Sequence, residues 1–191
     1  MVSPGAAPAA SRAGSSLGRG TLLLVVLLAL GAALVLLTPD RRRAPLDVGD
    51  VAPDLELPRI GGEGTLRLED VRGQVVFLNF WATWCKPCED EMPAMERLHR
   101  ALAPKGLAMW AVSVDDSAEP VDEFAKRLGL TFPILHDPAK TTAERYDARR
   151  FPESWIVGRD GRLVARFIGP RDWDSPVYLE QMAALLEIPA P

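Results

Sequence analysis

Residues 75–93 run VVFLNFWATWCKPCEDEMP, and within them one periodicity ends and another begins. Val75, Val76, Phe77, Leu78, Asn79 and Phe80 form a continuous, β-prone and almost wholly apolar run, the pattern of a central strand buried on both faces. Beyond it, Met92, Met95, Leu98 and Leu102 recur at helical spacing. Between the two lie Cys85 and Cys88, the two cysteines of the chain. A strand-to-helix junction puts Cys85 at a helix amino terminus, where unpaired N–H groups and the helix dipole stabilise a thiolate. Cys88 falls in the first turn on the same side, so the two sulfurs can close a small ring with little movement of the backbone. A dithiol that opens and closes this cheaply is a redox centre rather than a structural staple.

Outward from this junction the signals alternate. Upstream, Asp54–Leu57 and Thr65–Leu68 are expected as short strands around the turn Gly61-Gly62-Glu63-Gly64. Downstream, Leu107–Val114 is a second buried strand. Val121, Phe124, Ala125 and Leu128 have helical spacing, with Gly129 as the stop. Phe132–Leu135 is expected as a short strand and Ala139–Tyr146 as a short helix. Ser154–Val157 and Leu163–Ile168 flank the turn Arg159-Asp160-Gly161 as an antiparallel hairpin. Asp174 or Ser175 caps a last helix that has Pro176 in its first turn and Leu179, Met182, Leu185 and Leu186 on one side. The order is a β pair, then βαβαβ, then a hairpin and a helix. It predicts a three-layer α/β domain with a mixed sheet, preceded by an N-terminal β-extension.

The 191 residues carry a net charge of -4, and that figure averages two different objects. Residues 1–43 hold five arginines and one acid, while residues 44–191 hold 17 basic and 25 acidic side chains. Residues 1–20, rich in Ala, Gly, Ser and Pro, are expected to be disordered. Residues 21–38 contain Leu22–Leu37, built from Leu, Val, Ala and Gly alone, and form an anchor or signal segment at the lower edge of membrane-spanning length. Residues 39–46 form a linker, and residues 47–191 the folded domain. Arg41, Arg42 and Arg43 follow the apolar run while Arg12 and Arg19 precede it, so charge counting alone slightly favours the orientation opposite to export.

Composition excludes several classes. The acidic balance gives no reason to expect a nucleic-acid partner. Two cysteines make neither a disulfide scaffold nor, unaided, a tetrahedral zinc site, and His99 and His136 supply no second close pair. Covalent haem attachment needs a histidine at position 89, where Glu89 stands. No metal is expected.

The stretch Asn79 to Pro93, the opening Val51-Ala52-Pro53-Asp54 and the segment Phe151-Pro152-Glu153-Ser154-Trp155 together resemble the thioredoxin superfamily. More narrowly, they resemble the membrane-anchored extracytoplasmic thiol–disulfide oxidoreductases that include ResA, TlpA and CcmG, the last being DsbE-like. The resemblance spans about residues 47–187 and implies a thioredoxin-like fold. It makes Cys85 the nucleophile on a client disulfide and Cys88 the resolving thiol, with no cofactor besides their reversible disulfide. Lys86 and Pro87 would tune the dithiol. Asn79 stands where cytoplasmic thioredoxins carry a buried Asp, so Glu91, three residues after Cys88 on the same helix face, is the expected proton carrier. Pro152 would be the family's cis-proline, presenting the backbone of Phe151 to a client strand. Phe151 is larger than the usual residue at its position, and Trp84 would add apolar contact.

The implied activity is protein-disulfide reduction on the extracytoplasmic side. Its client would be a protein such as apocytochrome c, its electrons would come from a membrane thiol transporter, and the protein is expected to be monomeric. Two other classes share features of this motif but not its pattern. A peroxidase with the pattern Pro-x-x-x-Thr-x-x-Cys does not fit, because Ala82 lies three residues before Cys85 and Cys85 three before Cys88. A copper carrier of the related group has three residues between its cysteines and a late histidine, whereas this chain has two between and no histidine after His136.

Overall fold

The computed structural model describes residues 18–37 and 45–187. Residues 1–17 of the segment expected to be disordered, most of the linker, Arg41–Arg43 and the last four residues lie outside them, while Arg19 and Gly20, expected to be disordered, are helical. The chain divides into two units, Met1–Ala44 and Pro45–Pro191. In the first, α1 spans Arg19–Leu37. Among the described residues no helix is long and apolar enough to cross a membrane.

The second unit begins with the hairpin β1 (Glu56–Pro58) and β2 (Thr65–Arg67), in register Leu57 to Leu66. Its turn places Gly61 and Gly64 at positive φ, where a side chain would be strained. Then come β3 (Val75–Trp81), α2 (Lys86–Leu102), β4 (Leu107–Ser113), α3 (Ala118–Leu128), β5 (Ile134–His136), α4 (Thr141–Arg145), β6 (Glu153–Val157), β7 (Leu163–Ile168) and α5 (Pro176–Glu187). The main sheet has the order β5-β4-β3-β6-β7. β3, β4 and β5 are parallel, and β6 and β7 are antiparallel to their neighbours. This is the mixed α/β thioredoxin-like fold.

Two right-handed crossovers in succession, β3-α2-β4 and β4-α3-β5, put α2 and α3 on one face of the sheet. α5 packs against α2 on that same face. The opposite face is covered around α4. There Tyr146 stacks near Phe80, its hydroxyl donates to the Pro53 carbonyl at 2.6 Å, and Trp155 Nε1 donates to the Tyr146 carbonyl at 2.9 Å. Every residue of β3 is buried, as expected of a strand covered on both sides. Its odd residues Phe77, Asn79 and Trp81 therefore face α2, α3 and α5, while Phe80 faces α4.

Element boundaries depart from the sequence expectation where backbone chemistry intervenes. The strand expected from Phe132 pairs only from Ile134, because Pro133 has no N–H to give the ladder. The helix expected from Ala139 starts at Thr141, because Lys140 sits at a φ of 59°, outside the right-handed helical region. The first strand starts at Glu56 rather than Asp54.

Candidate active site

β3 ends at Trp81, and after three intervening residues the chain enters α2 with Cys85 as its N-cap. The Cys85 sulfur accepts from the backbone N–H of Cys88 at 3.3 Å, so it lies against the positive end of the helix. Cys85 and Cys88 form a disulfide, with Cα atoms 5.2 Å apart. The two sulfurs are not equivalent, since Cys85 is 6% exposed and Cys88 0%.

The loop before Cys85 is clamped by Asp115, just past β4. Its carboxylate accepts from Thr83 N–H at 3.0 Å, from Thr83 Oγ1 at 2.6 Å and from Ser113 Oγ at 2.7 Å. With that loop held, Trp84 projects outward at 68% exposure, its ring edge-on to Phe151 at 6.1 Å between centroids. The peptide bond between Phe151 and Pro152 is cis. The segment before it is tied to buried Glu153, whose carboxylate accepts from the backbone N–H groups of Arg149 and Arg150 at 3.1 and 3.3 Å and from the Arg166 guanidinium.

Lys86 is exposed and reaches along α2. Its ammonium donates to Asp90 at 2.6 Å and lies 3.6 Å from Glu89, so its charge is already balanced. Pro87 occupies the first turn of α2, where its missing N–H removes no helical bond. Pro93 lies farther inside α2, as the sequence indicates.

Glu91 is 3% exposed and projects from α2 toward the sheet. Its Oε1 accepts from Asn79 Nδ2 at 2.8 Å, and its Oε2 accepts from Arg171 N and Trp173 Nε1 at 3.1 Å each. Asn79 Nδ2 also reaches Ser154 Oγ at 3.0 Å. Burial pushes the Glu91 carboxyl up to about 7, against the three donors, which favour its ionised form. A carboxyl so placed exchanges a proton near neutral pH.

Sequence reasoning brings Asn79, Cys85, Cys88 and Glu91 to one end of the sheet, and the structure does assemble them there. It did not identify Asp115, Ser154, Arg171 or Trp173. Ser154 had a signal, because aligning β6 antiparallel to β3 sets it opposite Asn79. Arg171 and Trp173 lie 80 and 82 residues from Glu91 in an irregular loop, and no periodicity links them to α2.

Comparison with known proteins places this arrangement. Residues 48–166 match the model of the AhpC/TSA family. The chain belongs to that family. It is 39% identical over 145 residues to the thiol-disulfide oxidoreductase ResA of Geobacillus kaustophilus, covering 76% of this chain and 82% of that protein. It is also 39% identical over 151 residues to the thioredoxin-like protein YneN of Bacillus subtilis, covering 78% and 87%. Among solved structures, a putative thiol:disulfide interchange protein DsbE from Chlorobium tepidum superposes with a TM-score of 0.68 at 33% identity, over 74% of this chain and 99% of that one. The protein is thus a thioredoxin-fold thiol–disulfide oxidoreductase of the ResA/DsbE type, and it carries the Cys85–Cys88 disulfide.

Proposed function

We propose that the protein is a membrane-anchored, extracytoplasmic reductant of client protein disulfides, with apocytochrome c as a client. The observation that carries the assignment of roles is the unequal exposure of the two sulfurs. Only Cys85, at the helix amino terminus, offers a client sulfur an approach.

In the reduced enzyme, the Cys85 thiolate attacks a client disulfide, forming a mixed disulfide and releasing one client thiolate. Cys88, as thiolate, then attacks Cys85 Sγ. The mixed bond breaks, the second client thiolate leaves, and the Cys85–Cys88 disulfide remains. Two electrons have passed to the client. The proton shed by Cys88 goes to the Glu91 carboxylate, which is held near neutrality by burial. A membrane thiol carrier returns two electrons and restores the dithiol. No cofactor or metal beyond the dithiol takes part, and the protein works as a monomer.

Trp84 and Phe151, with their rings set edge-on to one another, supply apolar contact for the client chain, and Pro152 presents backbone to it. Lys86, engaged with Asp90, and Pro87, in the first turn of α2, set the rigidity of the motif more than its charge. The apolar residues 21–38 serve as the anchor, which reporter fusions after Pro45 test. An active secreted reporter is expected, and activity of a cytoplasmic reporter alone overturns the topology.

The deciding measurement is the reduction potential of the protein in glutathione or dithiothreitol buffers. A value well below the poise of oxidising periplasmic enzymes is expected, and one near about -120 mV rules out a reductant. Replacing Cys88 by Ser is expected to trap the mixed disulfide with a client peptide, and replacing Cys85 by Ser to prevent its formation.

A further inference from the structure

Every hydrogen-bond partner of the Glu91 carboxyl is a donor. Oε1 takes the Asn79 amide N–H, and Oε2 takes the Arg171 backbone N–H and the Trp173 indole N–H. Neither of the last two can accept. This set suits a carboxylate. It leaves a neutral acid with an O–H aimed at groups that cannot receive it, yet burial at 3% exposure makes the acid the favoured form up to about pH 7.

An acceptor is already in the site. Asn79 is wholly removed from solvent, and its Oδ1 has no hydrogen-bond partner. A half-turn about the terminal torsion of Asn79 interchanges Oδ1 and Nδ2, an exchange that a broad, two-fold sp³–sp² torsion permits. It brings Oδ1 to the place from which Nδ2 now reaches Glu91 Oε1 at 2.8 Å and Ser154 Oγ at 3.0 Å. A hydroxyl both donates and accepts, so Ser154 can accept from the amide nitrogen in one orientation and donate to the amide oxygen in the other. One end of the amide is unpaired in either case.

We propose that Asn79 is a positioning residue that turns with the protonation of Glu91, presenting its nitrogen to the carboxylate and its oxygen to the acid, with the Ser154 hydroxyl reversing to match. The rotation rests on the proposed proton-carrying role of Glu91 for its use. It lets the proton arrive and leave without stranding a buried charge or a buried hydroxyl. Aspartate at position 79 could not do this, because it would set a second negative charge against the first.

The groups around Glu91 leave few other sources of titration. Arg171 is the charged residue that bears on it, with its guanidinium bonded to the carbonyls of Gly169 and Pro170 at 3.2 and 2.8 Å. From the sheet come neutral Asn79 and Ser154. On α2, Cys88 is held in the disulfide.

The test uses the full-length oxidised protein, in which no thiol titrates. Glu91 carboxyl and Asn79 side-chain amide resonances are followed by NMR between about pH 5 and 9. Both are expected to move with one shared midpoint, and the Asn79 transition is expected to vanish in Glu91→Gln. An Asn79 amide that stays flat while Glu91 titrates overturns the rotation and leaves the proton-carrying role standing. A Glu91 that does not titrate in this range overturns both. Asn79→Leu gives a second readout. Loss of a fixed donor would raise the Glu91 midpoint by about one unit, whereas loss of a partner that serves both forms leaves it within about half a unit, and the larger rise counts against rotation.

Discussion

Glu91 sets a carboxyl between burial, which favours its acid form, and three N–H donors, which favour its anion. Burial dominates, and the sign of the consequence follows from linkage. A group whose folded pKa is raised from 4.5 to about 7 contributes stability that is fully present below about 4.5 and lost as pH rises through about 7. The loss is on the order of 3 kcal/mol, from 1.36 kcal/mol per pKa unit. The oxidised Glu91→Gln protein should therefore lack this decline. Urea unfolding is expected to show it more stable than the parent at pH 8 and no more stable at pH 4. If Glu91 is the proton carrier proposed above, the same variant is expected to slow resolution of the mixed disulfide by about 10²-fold or more near neutrality, measured as accumulation of client adduct in rapid-quench experiments. Trp173→Phe removes one donor to Oε2. It is expected to move the Glu91 midpoint, and the pH profile of exchange with it, upward.

At the scale of elements, the loop carrying the cis Phe151–Pro152 bond depends on a pair that joins β6 to β7, Glu153 buried and Arg166 partly exposed. Glu153 is 1% exposed and bonds Arg166 Nε at 2.7 Å, while Arg166 also donates to the Asp147 carbonyl at 2.9 Å and lies over the Trp155 ring. Truncating one partner strands the other charge, so Arg166→Met is expected to cost about 3 kcal/mol in urea unfolding. Adding Glu153→Gln should recover part of that loss, because the stranded charge is then removed. This pair also marks the limit of what was legible in the sequence. β3 and α2 could be read because their periodicities are long and change at the cysteines. The hairpin could be read from Asp160-Gly161, and Glu91 from its spacing to Cys88. The clamps could not. Asp115 holds Thr83 across 32 residues and Glu96 holds Thr131 across 35, and each is one acid among many until the sheet order brings its partner close. Pro133 and Lys140 show the same limit at element ends, where a missing N–H or a left-handed residue overrides an apolar pattern.

For the whole molecule, the direction of electron flow is a statement about folding. A Cys-x-x-Cys ring closes a loop so short that its entropic contribution is only about 2 kcal/mol, so both redox forms are expected to fold. The difference between their stabilities, however, equals the difference between the potential of the folded dithiol and that of the same pair in the unfolded chain, with about 30 mV for each 1.4 kcal/mol. In a strong oxidant the reduced form is the better stabilised one. A reductant reverses the order, and the packing here favours that reversal, because Cys88 is sealed at 0% exposure beneath the motif with Glu91 buried on the same helix. A Cys88 thiolate beside an ionised Glu91 would add a second negative charge to a site shut off from water, so the reduced form gains none of the thiolate stabilisation that favours it in an oxidant. Urea unfolding of the two forms at pH 7.5 is therefore expected to show the oxidised protein more stable than the reduced one by more than the 2 kcal/mol or so of loop entropy. The gap is expected to shrink in Glu91→Gln, where that second charge is absent. If the reduced form proves the more stable of the two, the protein runs as an oxidant and the proposed role in cytochrome maturation fails with it.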